Sequence, residues 1–531
     1  MSNGGAAAAR LDDSGYNPSF LGREDDTLRS TTRILLGCGA AVLLMAGFTG
    51  AQTAEERTAR HLESLRKQPQ LMLAFLRDMP KGGDLHNHLE GAVYAEDAID
   101  WAADSGLCVE RTSSRVISPP CDACESYLPK PAARCAYGDH VLYNQLVDAW
   151  SMRNWKPGDE SGHDHFFAAF DKFGGATRLH AAEVMAQATK RAGMDHLQYV
   201  EFMHTADGLD AAQLGAKLGW DDDFGKMRDG LLAGGLKEIA AGTSRKLAED
   251  QATARKELKC GTPQAEPGCD VTVRFLYQVL RGLPREMVFA QIVLGFELAS
   301  SDPNFVGFNL VMPEDWYVPM HGFDLHMRMI DYLHGVYPKV HITLHADELA
   351  MGLVPPEGLT FHIRESIEKG HAERIGHGAA VMNEKDPIGL LKEMAERNVL
   401  VEISLTSNDL ILGVSGPEHP LLVYMKYGVP VALATDDEGV SRSDMTHEWL
   451  RAETTYELSY ADLKRMARQS LEHSFLPGES LWRETRNGFR MAGACEANGA
   501  SASCRKFLEG SERARAQMRL EEELGKFEKG Y

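Results

Sequence analysis

The sequence predicts a (β/α)8 barrel with a disulfide-stapled insertion after its first strand. Three observations lead there. Short apolar runs alternate with helix-length segments from about residue 80 onward. Eight such runs can be marked, the strand number of that barrel. Histidines and carboxylates collect at the ends of several of them, where such a barrel gathers its chemistry on one face. The chain has 531 residues, 44% hydrophobic and 25% charged. These ordinary values exclude a collagen-like, wholly disordered or polytopic membrane chain. Lys+Arg of 56 against Asp+Glu of 77 gives −21. That balance disfavours binding to nucleic acid or an anionic membrane and fits a small-molecule enzyme.

Residues 1–33 are rich in Gly, Ala, Ser and Asp without an apolar period and read as a disordered leader. Arg29 and Arg33 then precede the apolar run Ile34 to Phe48, and Thr49-Gly50-Ala51 supplies small residues. Segment 34–51 therefore reads as a signal peptide cleaved near Ala51, giving a periplasmic or secreted protein with no stable membrane association. The alternative is an uncleaved signal anchor. Leu35-Leu36-Gly37-Cys38 lies too early in the apolar run for a lipoprotein box.

Removing Cys38 from the nine cysteines leaves eight, an even number in local clusters. We expect Cys260–Cys269, Cys495–Cys504 and two bridges among Cys108, Cys121, Cys124 and Cys135, as in an oxidising compartment. The competing reading of Cys121-Asp122-Ala123-Cys124 is a zinc site, a weak signal without a second such pair.

The barrel is expected over 54–505. Residues 54–79 show helical spacing (Leu62, Leu65, Leu71, Phe75, Leu76) up to Met79-Pro80. Strands follow at Asp84–Leu89, Leu197–Phe202, Val271–Leu280, Phe305–Val311, Val340–His345, Arg374–His377, Val399–Leu405 and Val429–Thr435. Helices are expected at Phe323–Val336, Leu359–Gly370 and Asp386–Arg397. The insertion is placed at 107–138, with its cysteines and Pro119-Pro120. Residues 207–270 read as helical up to a loop at Gly261–Gly268. The tail 506–531 is charged, and Ser511 to Lys529 reads as a solvated helix.

Chemistry enters with Asp84-Leu85-His86-Asn87-His88-Leu89-Glu90-Gly91. In a strand, i and i+2 share a side, so His86 and His88 both face the barrel interior and begin a metal site. His345 ends another strand, with Glu348 three residues on; the plainer role for Glu348 is a carboxylate at a helix N-terminus. His377 ends a third strand between Gly376 and Gly378. Asp436, Asp437 and Glu438 follow the last; alone they would read as a solvated turn. Together they imply a metal set of His86, His88, His345 and Asp436. Nitrogen and oxygen donors without thiolate favour zinc, one per chain.

In order and strand position, Met79 to Gly91, His345-Ala346-Asp347-Glu348, Arg374-Ile375-Gly376-His377-Gly378, Leu405-Thr406-Ser407-Asn408 and Thr435-Asp436-Asp437-Glu438 resemble the adenosine deaminase family over residues 70–480. The insertion, the export signal and Pro313-Glu314-Asp315 resemble its secreted growth-factor branch. The resemblance implies a zinc-dependent deaminase of a purine nucleoside, adenosine or 2′-deoxyadenosine. It implies that His86, His88, His345 and Asp436 hold the metal, with His88 also beside the substrate. Glu348 would protonate N1 of the purine, and His377 would orient and help deprotonate the attacking water. Asp437 would bind the ring and Glu90 the ribose side.

Zinc lowers the pKa of a bound water toward ~7. A protonated carboxyl beside the ring nitrogen then lowers the barrier to attack at C6.

Three positions depart from the family's pattern: Glu90 for Asp, Asp347 for Gly and Met312 for Gly. All three bear on the pocket, so deamination is better founded than adenosine as the substrate. Trp150 and Trp155 are candidate aromatic walls, with core packing as their plainer role. The alternatives are another metal-dependent C–N hydrolase, such as an adenine or other aminopurine deaminase, or a secreted growth-factor-like binding protein. No nucleic-acid partner is expected; the chain would act as a monomer or homodimer.

Overall fold

Eight apolar runs become eight parallel strands in a computed structural model that describes residues 52–158, 160–486, 488–496 and 501–531. They are β1 (Gly82–His88), β2 (Leu197–His204), β3 (Thr272–Leu280), β4 (Phe305–Val311), β5 (His341–Ala346), β6 (Arg374–His377), β7 (Leu400–Ile403) and β8 (Val431–Leu433). Each pairs in parallel with the next in sequence. Beside β8, the His88 N–H donates to the Asp436 carbonyl at 3.0 Å and the Asp436 N–H to the His86 carbonyl at 2.9 Å. That contact joins the last strand to the first and brings the ends of β1 and β8 together. The architecture is the (β/α)8 barrel the alternation predicted. The leader, the signal segment and Cys38 lie outside the described residues.

The strands are buried on both faces, which is why they read as unbroken apolar runs. Three expectations change. The 54–79 segment is two helices, Ala54–Leu65 and Pro69–Asp78. Pro69 opens the second, where its missing N–H costs nothing. The tail helix, Glu512–Glu528, is not solvated all round: Ala514, Leu520 and Leu524 are buried, and Lys464 pairs with Glu528 at 2.6 Å. Its charges mask a narrow apolar stripe. Helix Leu359–Gly370 shortens to His362–Glu368, behind a 3-10 turn at Pro356–Leu359. Among the described residues no helix is long and apolar enough to cross a membrane.

The expected staples form: Cys108–Cys121, Cys124–Cys135, Cys260–Cys269 and Cys495–Cys504. Pairing Cys121 and Cys124 with different partners removes both thiolates from any zinc site. The first two bridges tie down a small hairpin, Cys108–Glu110 with Arg115–Ile117. Behind it the helix Gly162–Thr177 packs against the hairpin and the helices Ala95–Asp104 and Leu405–Leu412.

Candidate active site

The C-terminal ends of the strands hold the predicted residues, and their tautomers follow from their neighbours. His86 Nδ1 lies 2.7 Å from Glu402 Oε2, so Nδ1–H donates and Nε2 is bare. His88 Nδ1 lies 2.8 Å from Gln278 Oε1, and His345 Nδ1 lies 3.0 Å from Asn309 Oδ1. Each of the three rings therefore spends its proton on an outer acceptor and turns Nε2 inward. His88 and His345 bring these atoms within 3.2 Å of each other. Asp436 Oδ1 stands 3.4 Å from His86 Nε2 and 3.3 Å from that of His88. His86 Nε2 is buried without a hydrogen-bond partner. Converging lone pairs beside a carboxylate repel one another unless a cation sits among them, so these donors fit a metal ion.

His377 differs. The Leu421 N–H donates to His419 Nδ1 at 3.2 Å, and His419 Nε2–H donates to Asn408 Oδ1 at 3.1 Å. Asn408 Nδ2–H then donates to His377 Nδ1 at 3.1 Å. The relay leaves the proton on His377 Nε2, 3.8 Å from Glu348 Oε1. By position alone, His86, His345, His377 and Asp436 form one potential metal group, and His88, Asp436 and Asp437 another. The relay makes His377 the donor among them.

Electrostatics follow the burial. Burial, then the neighbouring Asp436, Glu314 and Asp437, push the Glu348 carboxyl well above its usual range. Burial lowers His377 to about 4, so it is neutral. Burial works against the charge on Asp436, but its closeness to His86, His88 and His377 holds its carboxyl well below the usual range. Asp437 is pushed up by burial and leaves Oδ1 without a partner. Glu90 pairs with His204 at 2.6 Å and leaves Oε2 free.

Backbone strain marks the same ends. Met312, Asp347, His377 and Asp436 follow or end β4, β5, β6 and β8 with φ of 91°, 62°, 67° and 59°. Met312 and Asp347 thus keep a glycine-like backbone while adding side chains. A Cβ on Gly376 would meet His86 Cε1 at 2.6 Å, so only glycine there admits the ring. Glu348 is not at a helix N-terminus. Instead Glu314 accepts the N–H of Glu348 at 2.9 Å and that of Asp347 at 3.2 Å. Nor do Asp436, Asp437 and Glu438 form a solvated turn: all are buried, and Glu438 meets Arg191 at 3.1 Å.

Above these groups lies a cavity of about 460 Å³, lined by His88, Glu90, His345, Glu348, Asp436 and Asp437. Its apolar walls are Phe166, Phe167 and Phe170, with Leu280, Met312 and Trp316 opposite.

Residues 241–483, taking in β3 to β8, match the family model described as adenosine deaminase. An adenosine deaminase of Clostridium perfringens is 33% identical over 139 residues, 26% of this chain and 39% of the relative. One of Enterococcus faecalis is 29% identical over 185 residues, 35% and 46% of the two. Over residues 241–483 the chain is therefore similar to the adenosine deaminase family. It spans less than half the length of these curated relatives in the matched region. The fold also resembles an adenine deaminase structure from Arthrobacter aurescens, with a TM-score of 0.51 and 15% identity, over 83% of this chain and 98% of that one.

The aromatic walls of the cavity are not Trp150 and Trp155. Trp150 is fully buried and donates to the Ser114 carbonyl at 2.7 Å, and Trp155 donates to the Glu160 carbonyl at 3.2 Å. Neither lines the cavity. The phenylalanines of Gly162–Thr177 were overlooked because three aromatics at helical spacing read as core. Gln278, Asn309 and Glu402 carry no assigned role in the sequence, and Asn408 and Glu314 stand there within motifs but without a role; Glu402 gives a signal of its own, a lone carboxylate inside the apolar run Val399–Leu405.

Proposed function

We propose that this chain is a zinc aminohydrolase that converts a 6-aminopurine nucleoside, adenosine or 2′-deoxyadenosine, to the 6-oxo product and ammonia. The observation that carries this reading is the set of three inward Nε2 atoms with Asp436 beside the buried Glu348 carboxyl. His86, His88, His345 and Asp436 would hold the metal. When bound, zinc would supply Lewis-acid activation of the attacking water.

The chain's own groups divide the remaining work. Glu348, neutral because it is buried among carboxylates, donates its proton to N1 as water adds at C6. His377 presents Nε2–H and orients the water by donation; the water's proton passes to solvent, from which Glu348 is later reprotonated, and the proton of the new C6 hydroxyl leaves with the amine as ammonia. Asp437 Oδ1 meets the ring edge, and Glu90 Oε2 the sugar. None of the cavity's lining residues is Lys or Arg, whereas Glu90, Asp164 and Asp171 line it. A phosphate monoester would meet carboxylates there, which favours nucleosides over nucleotides. The local disulfides support export and kinship with the secreted growth-factor branch.

Metal analysis with ammonia release from adenosine, 2′-deoxyadenosine, adenine and AMP tests the reading. We expect one zinc per chain and turnover of the two nucleosides. Full zinc without turnover of any 6-aminopurine would move the assignment to another C–N bond.

A further inference from the structure

The helix Gly162–Thr177 carries the aromatic wall, and one residue near its start ties it to the opposite side of the cavity. His163 Nε2 lies 2.9 Å from Asp315 Oδ1, on the loop after β4. Its Nδ1 lies 3.0 Å from Asp164 Oδ1. Both ring nitrogens thus face carboxylate oxygens, which only accept. A neutral imidazole has one N–H and can answer one of them; the imidazolium answers both. The side chain is buried, with the Phe167 ring 4.9 Å away.

We infer that His163 is a protonation-dependent latch that fixes the aromatic helix across the cavity by joining it to Asp315. The residues on either side of this link make the cavity's walls: Phe166 and Phe167 follow His163, and Trp316 follows Asp315. Glu314, which precedes Asp315, holds the backbone of Glu348. The latch therefore sits one residue from the strut of the acid loop.

Among the described residues Asp315 and Asp164 are the carboxylates hydrogen-bonded to the ring. On the packed elements Glu96 pairs with Arg442, Asp97 and Glu438 with Arg191, Asp148 with Arg153, Asp409 with Arg451, and Arg115 with Asp171. Burial works against the charge on His163, but Asp315 and Asp164 raise it above the usual 6.5. The charged latch is then complete below 6.5; as pH climbs through the raised value the ring keeps a single N–H and the charge-assisted link weakens to a neutral one.

As a positioning residue of the proposed deamination, His163 rests on that reading only for its kinetic consequence. Hydrogen exchange on the full chain tests the latch whether or not the enzyme turns over adenosine. Corrected for intrinsic rates, the amides of 162–177 should lose protection on the order of tenfold between pH 6 and 8.5, the scale of one charged hydrogen bond. H163Q, with a single non-titrating donor, should show no such change. D315N keeps an acceptor without the charge and should fall between. In the same interval KM for adenosine should rise in the wild type and stay flat in H163Q. Identical pH courses of exchange in wild type and H163Q overturn the latch. An absent activity with the expected exchange overturns only the deaminase reading.

Discussion

Arg374, Glu201 and Glu402 stand inside the barrel with their charges answered, while groups at the barrel's mouth are left open. Arg374 meets Glu201 at 2.5 Å and Glu402 at 2.6 Å, and its guanidinium lies 3.8 Å from the Phe475 ring centre. Thr343 donates to the same Glu402 oxygen at 3.0 Å, and Tyr199 to the other oxygen of Glu201 at 2.7 Å. At the mouth, His86 Nε2, His377 Nε2 and Asp437 Oδ1 have no partner. Both clusters are buried and rich in charge, so burial of charge does not mark function. An orphaned group aimed at a common point does, because nothing in the fold compensates its desolvation.

That contrast can be broken most severely at Asp436. D436N removes the anion shared by His86 and His88. Metal should fall to trace levels and turnover by on the order of 10³-fold, the scale of a lost Lewis acid. Stoichiometric metal in D436N, measured by elemental analysis, would mean that the open groups are not ligands.

E348Q keeps size but has no proton to give. It should retain metal and lose at least ~10²-fold in kcat. Near-normal turnover would move the acid elsewhere.

Glu402 belongs to both clusters: Oε1 answers Arg374, and Oε2 holds His86. E402Q should weaken metal binding by roughly 10–100-fold in a chelator competition, as outer partners of ligand histidines do. It should also lower Tm. An unchanged affinity would make the two clusters independent.

The mildest test lies on the answered side. Lys81 is buried, with Nζ donating to the carbonyls of Asp195 at 2.8 Å and Met79 at 3.0 Å. Burial lowers its pKa from 10.5 to about 8. Between those values the unfolded chain binds the extra proton, so stability rises with pH, by up to about 1.4 kcal/mol per unit. K81M should flatten that part of the denaturation profile and leave turnover alone. An unchanged slope would assign it to other groups.

Strands and ligands were legible in the sequence because their signals are local. A strand buried on both faces is a run of Val, Ile and Leu, and His86 with His88 states its own geometry through the two-residue repeat. Partners were not legible, since Gln278, Asn309 and Glu402 lie far along the chain from the histidines they orient. Only the closed barrel brings them together. The aromatic wall was hidden for another reason: Phe166, Phe167 and Phe170 have the spacing of ordinary core, and what makes them a wall is the helix's place over the mouth. The tail helix misled in the opposite sense, its charges outweighing the stripe of Leu520 and Leu524.

Every disulfide of the described residues joins cysteines that are consecutive in the sequence, 9 to 13 positions apart. Eight thiols allow about a hundred pairings. A chain that oxidises each cysteine with the next one to emerge during synthesis reaches the native set without reshuffling. The loops are short, so each closure is entropically cheap and completes locally before the barrel's first and last strands can meet. The native pairing therefore asks each cysteine only to meet a neighbour in sequence, and none of these four bridges depends on the closure of the barrel.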